Sequence, residues 1–182
     1  AFAIYDKEKN EIFCARDRLG VKPLFYYKDN KKFIFASEIK ALLSYGIKAE
    51  PNNKIIAQYL KYGVYDHSNE NLFKNIYQLP AAHYMFIKNN NIKIERYWDL
   101  EYNENKASLE NIIGKFRELL DNSIKLQLRS DVPISLNLSG GIDSTLMSYT
   151  INNINNSQKN FNARTYIFNE LNDEEKSTKE LI

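Results

Sequence analysis

Pro133-Ile134-Ser135-Leu136-Asn137-Leu138-Ser139-Gly140-Gly141-Ile142-Asp143-Ser144-Thr145-Leu146-Met147-Ser148-Tyr149-Thr150-Ile151 is the stretch whose reading decides the rest of the chain. Ile134, Leu136 and Leu138 alternate with Ser135 and Asn137, the period of a strand, and Thr145 to Ile151 continues as a helix. Between them lies Ser139-Gly140-Gly141-Ile142-Asp143-Ser144. Two adjacent glycines let the backbone turn tightly and approach a ligand closely, and two hydroxyls and a carboxylate bracket them. The helix that follows sets unpaired N–H groups and a partial positive charge at the mouth of the loop, so the stretch predicts an anion site.

The kind of anion follows from what the loop lacks. A Walker-type loop has a Lys before its final Ser/Thr, and the equivalent position here is Asp143. A carboxylate beside a phosphate repels it unless a divalent cation lies between them. Asp143 therefore argues for Mg²⁺ carried in with the anion.

Upstream, Pro133 ends a helical pattern in which Leu109, Ile112, Ile113, Phe116, Leu119, Leu120 and Ile124 recur at i, i+3, i+4, with Ser108 as N-cap. Downstream, a polar segment, 152–162, returns the chain to a second strand, Thr165 to Phe168. Helix, strand, loop, helix, strand is the opening of a parallel α/β domain, expected over 108–182. The polar, aperiodic stretch 99–107 reads as a linker, and residues 1–98 as a separate domain. There Phe2 to Tyr5, Ile12 to Ala15, Phe25 to Tyr27 and Phe33 to Ala36 alternate with polar turns as an antiparallel meander. Helices follow over Glu38 to Tyr45, stopped by Gly46, and Ile55 to Tyr62, stopped by Gly63. Tyr84 to Ile87 and Ile92 to Tyr97 form a hairpin across Asn89-Asn90-Asn91.

With 182 residues, 43% hydrophobic and 26% charged, the chain has enough apolar material for one large or two small soluble domains. The net charge of +2 comes from interleaved Lys and Glu, with no basic stripe to suggest nucleic acid. No apolar run is long enough to span a bilayer and no signal peptide opens the chain. A single cysteine, Cys14, excludes an internal disulfide and fits a cytoplasmic location. The chain opens without Met on an alternating strand and ends, from Glu174 to Ile182, in a helical pattern with no stop signal. It reads as a fragment of a longer protein.

The S-G-G-x-D-S pattern of Ser139 to Ser144 resembles the pyrophosphate loop of the ATP pyrophosphatase superfamily. Two further blocks, Arg16-Asp17-Arg18-Leu19-Gly20-Val21-Lys22-Pro23-Leu24 and Phe35-Ala36-Ser37-Glu38-Ile39-Lys40-Ala41-Leu42-Leu43, resemble the later part of a class II amidotransferase glutaminase domain. With Leu128-Arg129-Ser130-Asp131-Val132-Pro133 leading into the loop, the order of blocks is similar to the glutamine-hydrolysing asparagine synthetases. The resemblance implies a fold of two parts. The C-terminal part of an N-terminal-nucleophile sheet sandwich would be followed by the start of a Rossmann-like ATP pyrophosphatase domain.

The implied activity is amidation of aspartate with ammonia from glutamine, through an aspartyl adenylate, with release of AMP and pyrophosphate. Glutamine, aspartate and ATP are the implied substrates, and the resemblance admits a homodimer. Ser139, Gly140, Gly141 and Ser144 would hold the pyrophosphate, and Asp143 would help hold Mg²⁺. Asn137 and Phe168 are carried over by position as adenine walls, although a more apolar residue is expected where Asn137 stands. Relatives with another acceptor, a sugar or a β-lactam precursor, keep the same plan, and a degenerate homologue could serve as a scaffold.

The departures are informative. The glutaminase needs an N-terminal Cys whose own amine is the base. Residue 1 is Ala and Cys14 is internal, so these 182 residues are not expected to hydrolyse glutamine, and no glutamine-binding residue is assigned. Aspartate-binding parts are expected beyond Ile182. Arg18 replaces the usual Pro, and Pro80-Ala81-Ala82-His83 stands where a Pro-Gly turn is usual. Cys14, alternating with Ile12 and Arg16, reads as a buried thiol rather than a nucleophile. His67 and His83 read as surface histidines. Lys22 reads as a structural residue paired with a carboxylate, Glu38 and Lys40 as a solvated face, and Trp98 as packing at the end of the hairpin. Asp173, beside Glu174 at the carboxyl edge of the second strand, is a candidate for Mg²⁺ or nucleotide, or a helix-start charge.

Overall fold

The computed structural model describes residues 1–89, 91–104, 106–155 and 162–165. The chain divides into two compact units, Ala1–Asn103 and Glu104–Ile182. In chain order the first unit contains strands β1 (Phe2–Asp6), β2 (Glu11–Ala15), β3 (Phe25–Lys28) and β4 (Phe33–Ala36). Helices α1 (Ile39–Ser44) and α2 (Asn53–Tyr62) follow, then β5 (Ile76–Gln78), β6 (His83–Lys88) and β7 (Asn91–Arg96).

The expected single meander is two sheets. β1-β2-β6-β7 form one antiparallel sheet, and β4-β3-β5 form the other. The correction has a local cause: the loop between β2 and β3 carries the chain from one layer to the next. β5 is an element the sequence did not announce, being three residues long and entered through Asn75 at φ 63°.

The two sheets share a core. Cys14, Met85 and Ile87 from the first meet Tyr26 from the second, with Leu24 and Leu79 from the flanking loops, all buried. The period of two directs this arrangement: Cys14 faces inward while its neighbour Phe13 stacks on the opposite face with Phe2 and Phe86, ring centroids 5.9 and 4.8 Å apart. On the far side of the second sheet, α1 buries Leu42 with Ile47 and Ile76. Each such side chain removed from water contributes about 1.5–3 kcal/mol, so these two clusters hold the layers together.

Turn chemistry sets the ends of these elements. The Asp6 carboxylate accepts from the amides of Glu8 and Lys9, closing the first hairpin. Gly63 ends α2 in the left-handed conformation, φ 71°, its N–H donating to the Tyr59 carbonyl at 2.8 Å. Ala82 also lies there, φ 58°, and is buried, within the stretch Pro80 to His83 where the sequence reading expected a Pro-Gly turn.

The second unit contains α3 (Leu109–Gln127), β8 (Ser135–Asn137), α4 (Ile142–Asn155) and β9 (Asn162–Arg164). Ser108 caps α3, its hydroxyl accepting from the Asn111 amide at 3.4 Å. Of the stripe expected to form a core, Ile124 is buried, whereas Leu109, Ile113, Phe116 and Leu119 are exposed. β8 and β9 pair in parallel, Ser135 opposite Asn162 and Asn137 opposite Arg164. Two boundaries differ from expectation. α4 begins at Ile142 rather than Thr145, because Asp143 and Ser144 suit a helical first turn. The second strand is already paired at Asn162, ahead of the Thr165 to Phe168 run expected to carry it. Among the described residues, no helix is long and apolar enough to cross a membrane.

Candidate functional site

The loop Ser139 to Ser144 leaves the carboxyl end of β8 and enters α4. The strand end is anchored on both sides of Leu138: its N–H donates to the Arg164 carbonyl at 2.8 Å, and its carbonyl accepts from the Thr165 hydroxyl at 2.9 Å. Leu138 itself is buried, as are Thr150 and Ile151 on the inner side of α4. The backbone then turns through Gly140 at φ 69°, a conformation in which a Cβ would be strained.

Hydroxyls close the loop. The Ser139 N–H donates to the Ser144 Oγ at 3.2 Å, and the two serine oxygens lie 3.1 Å apart. The Ser144 hydroxyl donates to the Gly141 carbonyl at 3.1 Å, which also accepts from the Thr145 hydroxyl at 2.8 Å and the Thr145 N–H at 3.0 Å. The amides of Ile142, Asp143 and Ser144 fall in the first turn of α4, where no carbonyl of the helix lies four residues back to receive them. The result is a cluster of donors on an exposed rim at the positive end of a helix, an arrangement that can bind an anion.

Asp143 lies in that first turn with its side chain exposed, and forms no ion pair among the described residues. No group of three or more His, Cys, Asp or Glu side chains that could hold a metal occurs among the described residues. Asn137 is exposed on β8, opposite Arg164. Phe168, Asp173 and Glu174 lie outside the described residues. The structure therefore brings Ser139, Gly140, Gly141, Asp143 and Ser144 together and adds Thr145, which the sequence reading left out. A hydroxyl one turn after the glycine pair was the available signal.

The second loop of interest, 16–22, is of another kind. The Arg16 guanidinium is buried and donates to three carbonyls: Lys22 at 2.9 Å, Leu79 at 2.7 Å and Gly20 at 2.7 Å. Its backbone carbonyl accepts from the Tyr97 hydroxyl at 2.8 Å. The Asp17 carboxylate accepts from the Val21 and Lys22 amides at 2.8 and 2.9 Å, and the Lys22 bond is the largest cause holding its pKa below the ordinary carboxylate value. Burial lowers the Arg16 pKa, with Asp17 opposing it, yet an arginine remains charged at any working pH.

The expected pairing of Lys22 with a carboxylate is corrected here. Lys22 is exposed, forms no ion pair among the described residues, and contributes its backbone instead. Gly20 lies at φ 67°, and a Cβ there would stand 3.0 Å from the guanidinium. This loop and the segment 65–73 border a cleft of about 930 Å³ that His67 also lines.

The remaining residues singled out by sequence have structural surroundings. Cys14 is fully buried, and desolvation pushes its thiol up to about 11, which disqualifies it as a nucleophile near neutral pH. His83 donates through Nδ1 to the Ala81 carbonyl at 2.7 Å, and its own carbonyl accepts from the Arg16 amide at 3.0 Å. Glu38 and Lys40 pair at 2.5 Å on the surface. Trp98 is half-buried, its carbonyl accepting from Arg96 Nε at 3.1 Å.

Known proteins resemble the chain over two blocks of its sequence. A family model described as glutamine amidotransferase domain matches residues 1–98, and one described as asparagine synthase matches residues 115–181. The glutamine-hydrolysing asparagine synthetase 3 of Bacillus subtilis is 37% identical over 149 residues, covering 81% of this chain and 24% of that protein. A putative glutamine-hydrolysing asparagine synthetase 2 of Methanocaldococcus jannaschii is 37% identical over 150 residues, covering 80% and 29%. The protein named amidase chry2 of Gibberella zeae is 30% identical over 159 residues, covering 85% and 23%. The chain thus spans about a quarter of the length of these curated relatives.

Proposed function

Because the chain belongs to the glutamine-hydrolysing asparagine synthetase family, we propose that the intact protein amidates aspartate with glutamine-derived ammonia, activating the acid with ATP. The observation that carries the reading is the loop Ser139 to Ser144. It emerges from a parallel strand into a helix, within the segment 115–181 matched to asparagine synthase. The parallel β8–β9 pair, with α4 between its strands in the sequence, supports a Rossmann-like arrangement for this domain. Residues 1–98 supply the later part of the glutaminase domain, 99–107 the linker and 108–182 the start of the synthetase domain.

In this reading the aspartate side-chain carboxylate attacks the α-phosphorus of ATP, giving an aspartyl adenylate and pyrophosphate. Ammonia then displaces AMP to give asparagine. The chain's contribution is to grip the leaving group: Ser139, the amides that follow Gly140 and Gly141, and the positive end of α4 face the charge that develops there. Asn137, at the end of β8, and Phe168 are assigned to the walls of the adenine.

The donor set suits Mg²⁺. Asp143 is an exposed carboxylate without an ion-pair partner among the described residues, and Mg²⁺ in nucleotide sites takes one or two carboxylates with phosphate oxygens and water. When bound, the metal would neutralise charge on the departing pyrophosphate. Asp143→Asn should therefore lower aspartate-dependent ATP–pyrophosphate exchange about a hundredfold or more. The melting temperature should hardly move, since the carboxylate supports no core. Wild-type exchange in that variant would remove Asp143 from the site.

A second acceptor is favoured by one observation, the relatives named amidase, at 30% and 32% identity. Exchange that proceeds without aspartate but with another carboxylic acid would select it.

A further inference from the structure

We propose that Tyr97 is a positioning residue: its hydroxyl pins the root of the linker to the 16–22 loop, and this fixed exit keeps the release of ammonia coupled to its use. The inference rests on the functional reading above and concerns the residue at which the last strand of the first unit runs out.

The ladder of β6 and β7 ends with His83 opposite Arg96. One residue further on, Tyr97 still donates its N–H, to the Ala82 carbonyl at 2.8 Å, and Ala82 donates its own N–H to the Asp17 carbonyl at 2.9 Å. The Arg16 N–H reaches the His83 carbonyl at 3.0 Å, and the Tyr97 hydroxyl donates to the Arg16 carbonyl at 2.8 Å. Four bonds thus knit three segments, 16–17, 82–83 and 97, into one joint. The left-handed turn at Ala82, φ 58°, sits between the two segments that its backbone groups join.

The hydroxyl is the informative member. Tyr97 is 44% exposed, so water could serve its oxygen, yet its proton goes to a carbonyl 81 residues away in the chain. Next to it, Arg96 donates through Nε to the Trp98 carbonyl at 3.1 Å and through Nη2 to the Asp99 carboxylate, which also accepts from the Leu100 N–H at 2.8 Å. Beyond that point Leu100 and Tyr102 are 78% and 94% exposed. The segment assigned to the linker therefore leaves from a root tied to the loop that borders the cleft.

In an enzyme that makes ammonia at one centre and consumes it at another, a wandering exit loses ammonia to water without impairing either reaction. Bonds already made in the resting chain fix that exit with no ordering cost at each turnover.

The test uses the intact protein and compares Tyr97→Phe, Asp99→Ala and, as a control, Glu38→Gln, which breaks a surface ion pair elsewhere. It reads asparagine formed per glutamine hydrolysed, asparagine formed from added ammonia, and hydrogen exchange over residues 96–103. Tyr97→Phe should cut asparagine per glutamine about two- to tenfold, the range that one hydrogen bond commands. Exchange over the segment should accelerate, with glutamine hydrolysis and ammonia-dependent synthesis as in the wild type. Asp99→Ala should act in the same direction but less, since an exposed ion pair holds weakly. Glu38→Gln should match the wild type.

An unchanged ratio in Tyr97→Phe would overturn the proposal. So would an equal loss of ammonia-dependent synthesis, the mark of a general structural fault. A wild-type protein that forms no asparagine from aspartate, ATP and ammonia would overturn the functional reading, and the coupling with it. Exchange over 96–103 reports the tether independently of turnover, so the two failures are distinguishable.

Discussion

The loops 16–22 and 139–144 both turn at a glycine with positive φ, Gly20 at 67° and Gly140 at 69°, yet one is full and the other open. In the first, the space that a glycine makes is taken by the chain's own cation, since a Cβ on Gly20 would lie 3.0 Å from the Arg16 guanidinium. In the second, a Cβ on Gly141 would meet one atom, the Ser139 oxygen, at 3.4 Å. The first loop satisfies its polar groups internally and braces the junction between two sheets. The second ties only its ends together and leaves amides turned outward. A glycine-bearing loop is thus a binding site when what it approaches is solvent, and a structural joint when it approaches a buried side chain.

The difference can be broken at its strongest point. Arg16→Met should cost about 3–5 kcal/mol, because three carbonyls lose a charged donor inside the fold. Denaturant unfolding followed through Trp98 fluorescence measures it; a cost under about 1 kcal/mol would make the guanidinium dispensable.

A paired substitution sharpens the contrast. Gly20→Ala combines a left-handed backbone with a crowded Cβ and should cost about 2–3 kcal/mol. Gly141→Ala, without a positive φ and with one ordinary neighbour, should cost less than about 1 kcal/mol. Equal losses in thermal unfolding would dissolve the distinction between the loops.

The smallest effect concerns acid. Asp17 has its pKa depressed in the folded chain by the Lys22 and Val21 amides, so its contribution is present above the unfolded carboxylate value and is lost as pH falls through the folded one. The stability gap between wild type and Asp17→Asn should therefore shrink on titration from neutral pH to below the carboxylate range. A gap independent of pH would show that the carboxylate's charge is immaterial to the loop.

What could be read from the sequence was local. Gly63 as a helix stop, Ser108 as a cap and the alternation around Cys14 each depend on a few adjacent residues, and each stands where it was expected. The strand–loop–helix around Ser139 to Ser144 was legible for the same reason. Arg16 was hidden because one of its acceptors, Leu79, is 63 residues away in the chain, and no spacing rule links them. β5 was hidden because three residues carry no period, and its partner β3 is distant in sequence. The stripe on α3 was recognised as amphipathic, but periodicity cannot say what covers a face, and most of that stripe is exposed.

Ala82 holds a buried left-handed turn, φ 58°, without being a glycine. Its methyl group recovers by burial roughly what the strained backbone loses, about 1 kcal/mol each way.

Cys14 is sealed between the sheets with its proton firmly in place. Within these 182 residues the thiol background is accordingly silent to alkylating reagents at neutral pH. A cysteine introduced on the rim of the 139–144 loop could then carry a spectroscopic label without first removing the native one.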